Sequence, residues 1–189
     1  MITVNQALSI IKSSVVQLKT EYINVNNAMN RILASDVKSK VNSPPFDMSS
    51  MDGYAVKINK KFTQTKFKVI QEIFAGDYKN LRVLANQTIR VFTGSKVPLG
   101  ANRIIMQENC KVINKSEITA NINKNDELYI RKKGQDFKKG TLILKKKHQI
   151  NSRDIGLLTT SGVKKILVYK KPKIALIATG NELVNVNKK

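Results

Sequence analysis

The chain has 189 residues, 41% of them hydrophobic, which is enough for a globular core and too apolar for a disordered tail. One cysteine and one histidine exclude a disulfide framework and a zinc site, and no apolar run approaches the roughly 20 residues that cross a bilayer. The net charge of +21 invites a nucleic-acid reading. Against it, lysine far outnumbers arginine and is scattered in short pairs such as Lys60-Lys61 and Lys170-Lys171, and aromatics reach only 6%, too few for platforms that stack single strands. Nucleic acid is therefore disfavoured, while the positive field suits a small anionic substrate.

The N-terminus, "MITVNQALSI", lacks the basic segment and long apolar core of a signal peptide, so a cytoplasmic address is the expectation. Thr3 and Gln6 have capping-box spacing, and Ala7, Leu8, Ile11, Val15 and Leu18 recur at helical intervals, which predicts a helix over 4–20. Val25, Met29, Ile32 and Leu33 predict a second short helix over 25–34. Pro44-Pro45 ends regular structure and opens the loop "SPPFDMSSMDGYAV". From Ala55 to about Ile130 the segments "FKVIQEI", "TIRVFTG", "RIIMQE", "EITANI" and "ELYI" read as short strands of a compact β domain, sandwich or barrel. "GQDFKKGTLIL" is then a turn into a strand, "SRDIGLLTTSG" a short helix with Ser152 near its cap and Gly162 past its end, and "VKKILVY" a strand. The β-rich segment thus looks inserted between two stretches that pair into a second unit. Last, "KIALIATGNEL" predicts a strand over 174–178, apolar on both faces as in a parallel α/β sheet, with too little chain after Gly180 to complete such a domain. Truncation is the expectation.

Four motifs offer chemistry, each with a plainer alternative. Asp52, before Gly53, can hold a magnesium ion or orient a water, or can simply bond its own turn. Thr93-Gly94 ends an apolar strand with a hydroxyl and free N–H groups, suited to an oxyanion or to an ordinary β-turn. "IRKKGQDF" gathers three cations and Asp136 around Gly134, either an anion contact or a solvated lysine loop. In "ATGNEL", Glu182 follows a Thr-Gly turn near an expected helix start, where a carboxylate serves a metal or a cap.

Taken together and in order, "PPFDMSSMDGYAV", "TGSKVPLGANRIIMQE", "IRKKGQDFKKGTLI" and "KIALIATGNEL" resemble the molybdopterin molybdenumtransferase family, the MoeA and gephyrin E-domain group, over its N-terminal region. The resemblance implies an α+β fold: an elongated α/β unit with an inserted β-rich domain, plus the first strand of a molybdopterin-binding α/β domain. The implied segments are 1–41 and 136–171 for the elongated unit, 42–135 for the inserted domain and 172–189 for the last. It implies insertion of molybdate into adenylated molybdopterin with release of AMP, assisted by Mg2+. By motif position, Asp52, Thr93, Asp136 and Glu182 match catalytic groups, with Asp52 and Glu182 as metal ligands. Ser49, Arg131, Lys133, Thr179 and Gly180 are the implied ligand contacts. Ser95-Lys96 stand where the family often has Ala-Pro, and Asn102 and Asn181 where it often has an acid. The resemblance further implies a homodimer with a shared cleft, and the enzyme that adenylates molybdopterin as a partner. The other reading is a catalytically inactive, truncated dimerisation or binding module of the same family.

Overall fold

The structure, a computed structural model, describes residues 2–59, 66–120, 122, 127–180 and 182–184. Among them no helix is long and apolar enough to cross a membrane. In chain order the elements are α1 (Val4–Ser14), β1 (Thr20–Asn24), β2 (Val37–Lys38), β3 (Met48–Ser49), β4 (Gly53–Val56), β5 (Lys66–Ile73) and β6 (Gln87–Val91). There follow β7 (Arg103–Met106), β8 (Cys110–Asn114), β9 (Glu117–Ala120), β10 (Ile130–Arg131), β11 (Leu142–Leu144), α2 (Ser152–Thr160) and β12 (Lys165–Tyr169). The chain divides into two compact units.

One unit comprises Met1–Val37, Leu144–Gly156 and Lys164–Lys189. Helix α1 has the capping box its sequence predicts, with Thr3 Oγ1 accepting from the Gln6 N–H and Gln6 Oε1 from that of Thr3. It stops at Ser14, not at 20. There the hydroxyls of Ser13 and Ser14 donate back to the Ile10 carbonyl, and the β-branched Val15 is already extended at ψ 121°. The helix expected over 25–34 is absent. A single 3-10 turn at Val25–Asn27 gives way at Asn30, which takes φ +60°. Beyond it the Leu33 N–H goes to the distant His148 carbonyl at 3.0 Å and the Ala34 N–H to that of Leu167 at 2.9 Å, so the segment is spent on tertiary pairing. Antiparallel β1 and β12 form this unit's ladder, Thr20 opposite Tyr169 through Asn24 opposite Lys165.

The start of α2 belongs to this unit, with Ser152 its first residue, next to the cap as expected, and Asn151 the cap itself. Asn151 Oδ1 accepts from the N–H groups of Arg153 and Asp154, and Asp154 Oδ2 accepts in return from that of Asn151. The strand expected over 174–178 does not form: residues 171–180 carry neither helix nor strand, with Ile174 77% and Leu176 96% exposed. A parallel strand exists only through its neighbours, and among the described residues none pairs with this segment.

The other unit comprises Lys38–Ile143 and Leu157–Val163. Its body is a six-stranded sheet in the order β7-β4-β6-β5-β9-β8, antiparallel except between β5 and β6. Strand alternation sends Ala55, Ile73, Ile89, Val91 and Ile104 into one apolar cluster. Tyr54 and Val56 beside Ala55, and Ile105 beside Ile104, go with Phe67 and Ile118 into another, so both faces of the sheet are covered. Burial on both faces explains why "RIIM" and "GYAV" read as continuous apolar runs. Strand β8, absent from the strands that the sequence predicts, is mostly exposed and forms one edge of the sheet.

Candidate functional site

The registers of β5, β6 and β4 bring two sequence-distant motifs to one end of the sheet. Gly53, Val91 and Ile73 stand side by side on the three strands. One residue further along, where pairing ends, come Asp52, Phe92 and Phe74. Thr93 follows Phe92 and closes on the acid: its N–H and its hydroxyl each donate to Asp52 Oδ1 at 2.8 Å. The Asp52 main-chain carbonyl accepts from the Gln107 N–H at 3.1 Å, which ties the acid's backbone to the segment after β7. The Thr93 N–H, then its hydroxyl, hold the Asp52 carboxyl below the ordinary aspartate range, with Arg90 contributing. Asp52 Oδ2 accepts no hydrogen bond among the described residues.

A second polar group forms where the "SPPFD" loop meets β10 and the turn after it. Antiparallel β3 and β10 set Met48 opposite Arg131. The Arg131 guanidinium grips both oxygens of Asp136, at 2.7 and 2.9 Å, and the Ser43 hydroxyl adds a bond at 3.0 Å. The Asp136 carboxyl is held low by Arg131 first and Ser43 second. Beside it Asp47 accepts from Lys132 Nζ at 2.8 Å and from the Lys133 N–H at 2.9 Å. Burial alone would raise Asp47, yet the lysine and the N–H win and hold it low. Lys96 Nζ reaches Asn80 Oδ1 at 2.6 Å and sits 5.9 Å from the centre of the Phe46 ring.

The structure therefore brings together Asp52 with Thr93, and Arg131 with Asp136, all in the unit that holds the large sheet. Ser49 is fully buried and its hydroxyl donates to the Met51 carbonyl at 2.6 Å, shaping the loop from within. Lys133 contributes its N–H to Asp47, leaving its ammonium exposed. Thr179, Gly180 and Glu182 belong to the other unit, on an exposed segment whose described bond is the Leu183 N–H to the Gly180 carbonyl at 3.2 Å. Asn102 bonds the main chain of Ile58 in both directions, a structural task. Asn181 and Lys60-Lys61 lie outside the described residues.

For a divalent cation the fit is partial. Asp52 offers one free carboxylate oxygen, and magnesium commonly takes one or two carboxylates and fills its shell from water and substrate phosphate. Both oxygens of Asp136 are committed to Arg131. Among the described residues no three of His, Cys, Asp and Glu gather for a metal. Sequence reasoning missed Arg90, Phe92, Phe74 and Asp47. Only a correct pairing of β5 with β6 would have exposed the first three, and "FTG" directly before the Thr-Gly turn was the available hint.

The comparisons with known proteins agree with this architecture. The family model for the MoeA N-terminal region, domains I and II, matches residues 2–162. A molybdopterin molybdenumtransferase of Haemophilus influenzae is 33% identical over all of this chain and 47% of its own length. One of Staphylococcus epidermidis is 34% identical over 98% of this chain and 45% of its own length. Two crystal structures of the molybdopterin biosynthesis MoeA protein of Pyrococcus horikoshii align with TM-scores of 0.83 and 0.77 at 29% and 31% identity. They cover 100% and 89% of this chain, and 49% and 46% of the solved ones. The chain thus spans about half the length of the relatives it matches. With a family model over most of its residues and a mixed α/β fold shared with the solved structures, the chain belongs to the MoeA family, in its N-terminal region.

Proposed function

We propose that this chain carries the N-terminal part of a molybdopterin molybdenumtransferase, which inserts molybdate into adenylated molybdopterin and releases AMP. The observation that supports it best is the Asp52–Thr93 pair, an ionised carboxylate with one free oxygen held beside a hydroxyl at the open end of a buried sheet. Asp52 would hold Mg2+, which supplies charge neutralisation at the phosphoanhydride when bound. Thr93 fixes the carboxylate in place and keeps it ionised. Arg131, held through one guanidinium nitrogen by both oxygens of Asp136, and the exposed Lys133 present positive charge to a phosphate or molybdate oxygen. By motif position alone, Glu182 is proposed as a metal ligand, and Thr179 and Gly180 as ligand contacts. A homodimer in the cytoplasm, fed by the enzyme that adenylates molybdopterin, is the corresponding assembly.

The test is AMP release from adenylated molybdopterin by the 189-residue chain, with molybdate and magnesium. Release that falls about 100-fold in Asp52→Asn supports the assignment, a loss of the size seen when one transition-state contact is removed. Release unchanged in that variant sinks it. The alternative reading is a non-catalytic dimerisation or binding module of the same family. Absence of any release, with pterin binding retained, would select that reading.

A further inference from the structure

Beside the Asp52–Thr93 pair lies an aromatic arrangement that no role proposed so far uses. The Phe74 and Phe92 rings stack with centroids 4.7 Å apart and planes 9° from parallel. They stand next to each other because parallel β5 and β6 end in register, Ile73 opposite Val91. One residue before that pair the same strands set Glu72 opposite Arg90, paired at 3.3 Å, and the Arg90 guanidinium carbon lies 5.0 Å from the centre of the Phe92 ring. The Phe74 N–H donates to Asp77 Oδ2 at 3.2 Å, and the Asp77 N–H returns to the Phe74 carbonyl at 3.1 Å, so a closed turn fixes the backbone that carries the ring. Yet Phe74 is 52% exposed, and Phe92 is the residue immediately before Thr93.

A large ring left half in water, held rigid and backed by a second ring and a cation, is a stacking surface. Its place beside a carboxylate suited to phosphate-bound magnesium selects the ligand class. The geometry points to Phe74 and Phe92 as a subsite for the planar heteroaromatic ring of a phosphate-bearing ligand, with Phe74 the contacting face and Arg90 steadying Phe92. This inference rests on the function proposed above and deepens it by naming the specificity-determining residues. The adenylated substrate carries two such rings, adenine and pterin, and the stack serves one of them.

The experiment is equilibrium binding to the 189-residue chain with magnesium, without turnover. The probes are AMP and a pterin phosphate, each against ribose 5-phosphate, which has the charge without the ring. Stacking of one base is worth roughly 5- to 150-fold in affinity by alanine substitution. One ring compound is expected to bind more tightly than ribose 5-phosphate by that factor. Phe74→Ala should remove the advantage, Phe74→Leu should remove it while keeping apolar volume, and Phe74→Tyr should retain it. Loss for AMP assigns adenine, and loss for the pterin phosphate assigns pterin. If both compounds bind Phe74→Ala and Phe74→Leu as they bind the wild type, or bind the wild type no better than ribose 5-phosphate, the subsite does not exist. AMP release that still depends on Asp52 would then leave the proposed function standing.

Discussion

Replacing Gly53 by alanine adds one methyl group to the second residue of the Asp-Gly pair, and the structure leaves no room for it. A Cβ at this position would fall onto the carbonyl oxygen of Ile105 and lie 2.9 Å from its carbon and 3.1 Å from the Met106 Cα. Those are backbone atoms of β7, which pairs with β4 on one side while β6 pairs on the other, so the clash is not relieved by turning a side chain. Ile105 is itself only 5% exposed, which ties β7 to the apolar cluster beneath it. Overpacking at a rigid site reaches about 3 kcal/mol. At a urea slope of about 2 kcal/mol per molar the unfolding midpoint falls by about 1.5 M. Gly76→Ala is the control: Gly76 has φ +92° but nothing within 4 Å, so it meets conformational strain of about 1–2 kcal/mol and no clash. Urea unfolding followed by far-UV circular dichroism and by the five tyrosines, in a chain without tryptophan, reads both variants. The midpoints should fall in the order wild type, Gly76→Ala, Gly53→Ala. A Gly53→Ala midpoint at or above that of Gly76→Ala would refute the reasoning.

Three further expectations follow from the described contacts. Because Thr93 donors hold Asp52 below its ordinary value, the folded value lies under the unfolded one. Its stabilising contribution is then complete above about pH 4 and is lost as pH falls through the lowered folded value. Thr93→Val, which deletes the hydroxyl donor, should move the Asp52 titration upward in carboxyl-carbon NMR, and an unmoved titration would contradict the bond. Asn151→Ala removes the N-cap of α2 and should cost about 1 kcal/mol in thermal unfolding, against no change if Ser152 were the cap. Burial, with Glu108 adding, pushes the Cys110 thiol up to about 11. Alkylation at pH 8 should therefore run on the order of 100-fold slower than for a free thiol, and a rate equal to glutathione's would show the thiol is not so placed.

Legibility followed the range of the interactions. The capping box at Thr3 and Gln6 and the helix beginning at Ser152 rest on contacts within a few residues, and the sequence shows both. The length of α1 was not legible, since apolar spacing continues through Val15 and Leu18 while Ser13, Ser14 and Val15 end the helix. The 25–34 segment has helical spacing, yet its N–H groups find partners at Ile150, His148 and Leu167, more than a hundred residues away. No window of local sequence contains those carbonyls. At the candidate site, Asp52 and Thr93 were each visible as polar residues beside glycine, but their bond was not, because β4 and β6 meet only in the sheet. Arg131 and Asp136, five residues apart in one turn, were already suggestive as a group.

By itself, then, the sequence determined what local chemistry decides: the capped helix starts, the turns, the strand-forming runs, the single unpaired cysteine and the motif order that resembles one family. The tertiary structure alone decided which of those runs face each other. The parallel ending of β5 and β6 put Phe74 on Phe92, and the pairing of β4 with β6 put Thr93 on Asp52. The reason is physical. Strand pairing draws its energy from partners remote in the chain, and side chains on either side of that pairing become neighbours only when the ladder forms.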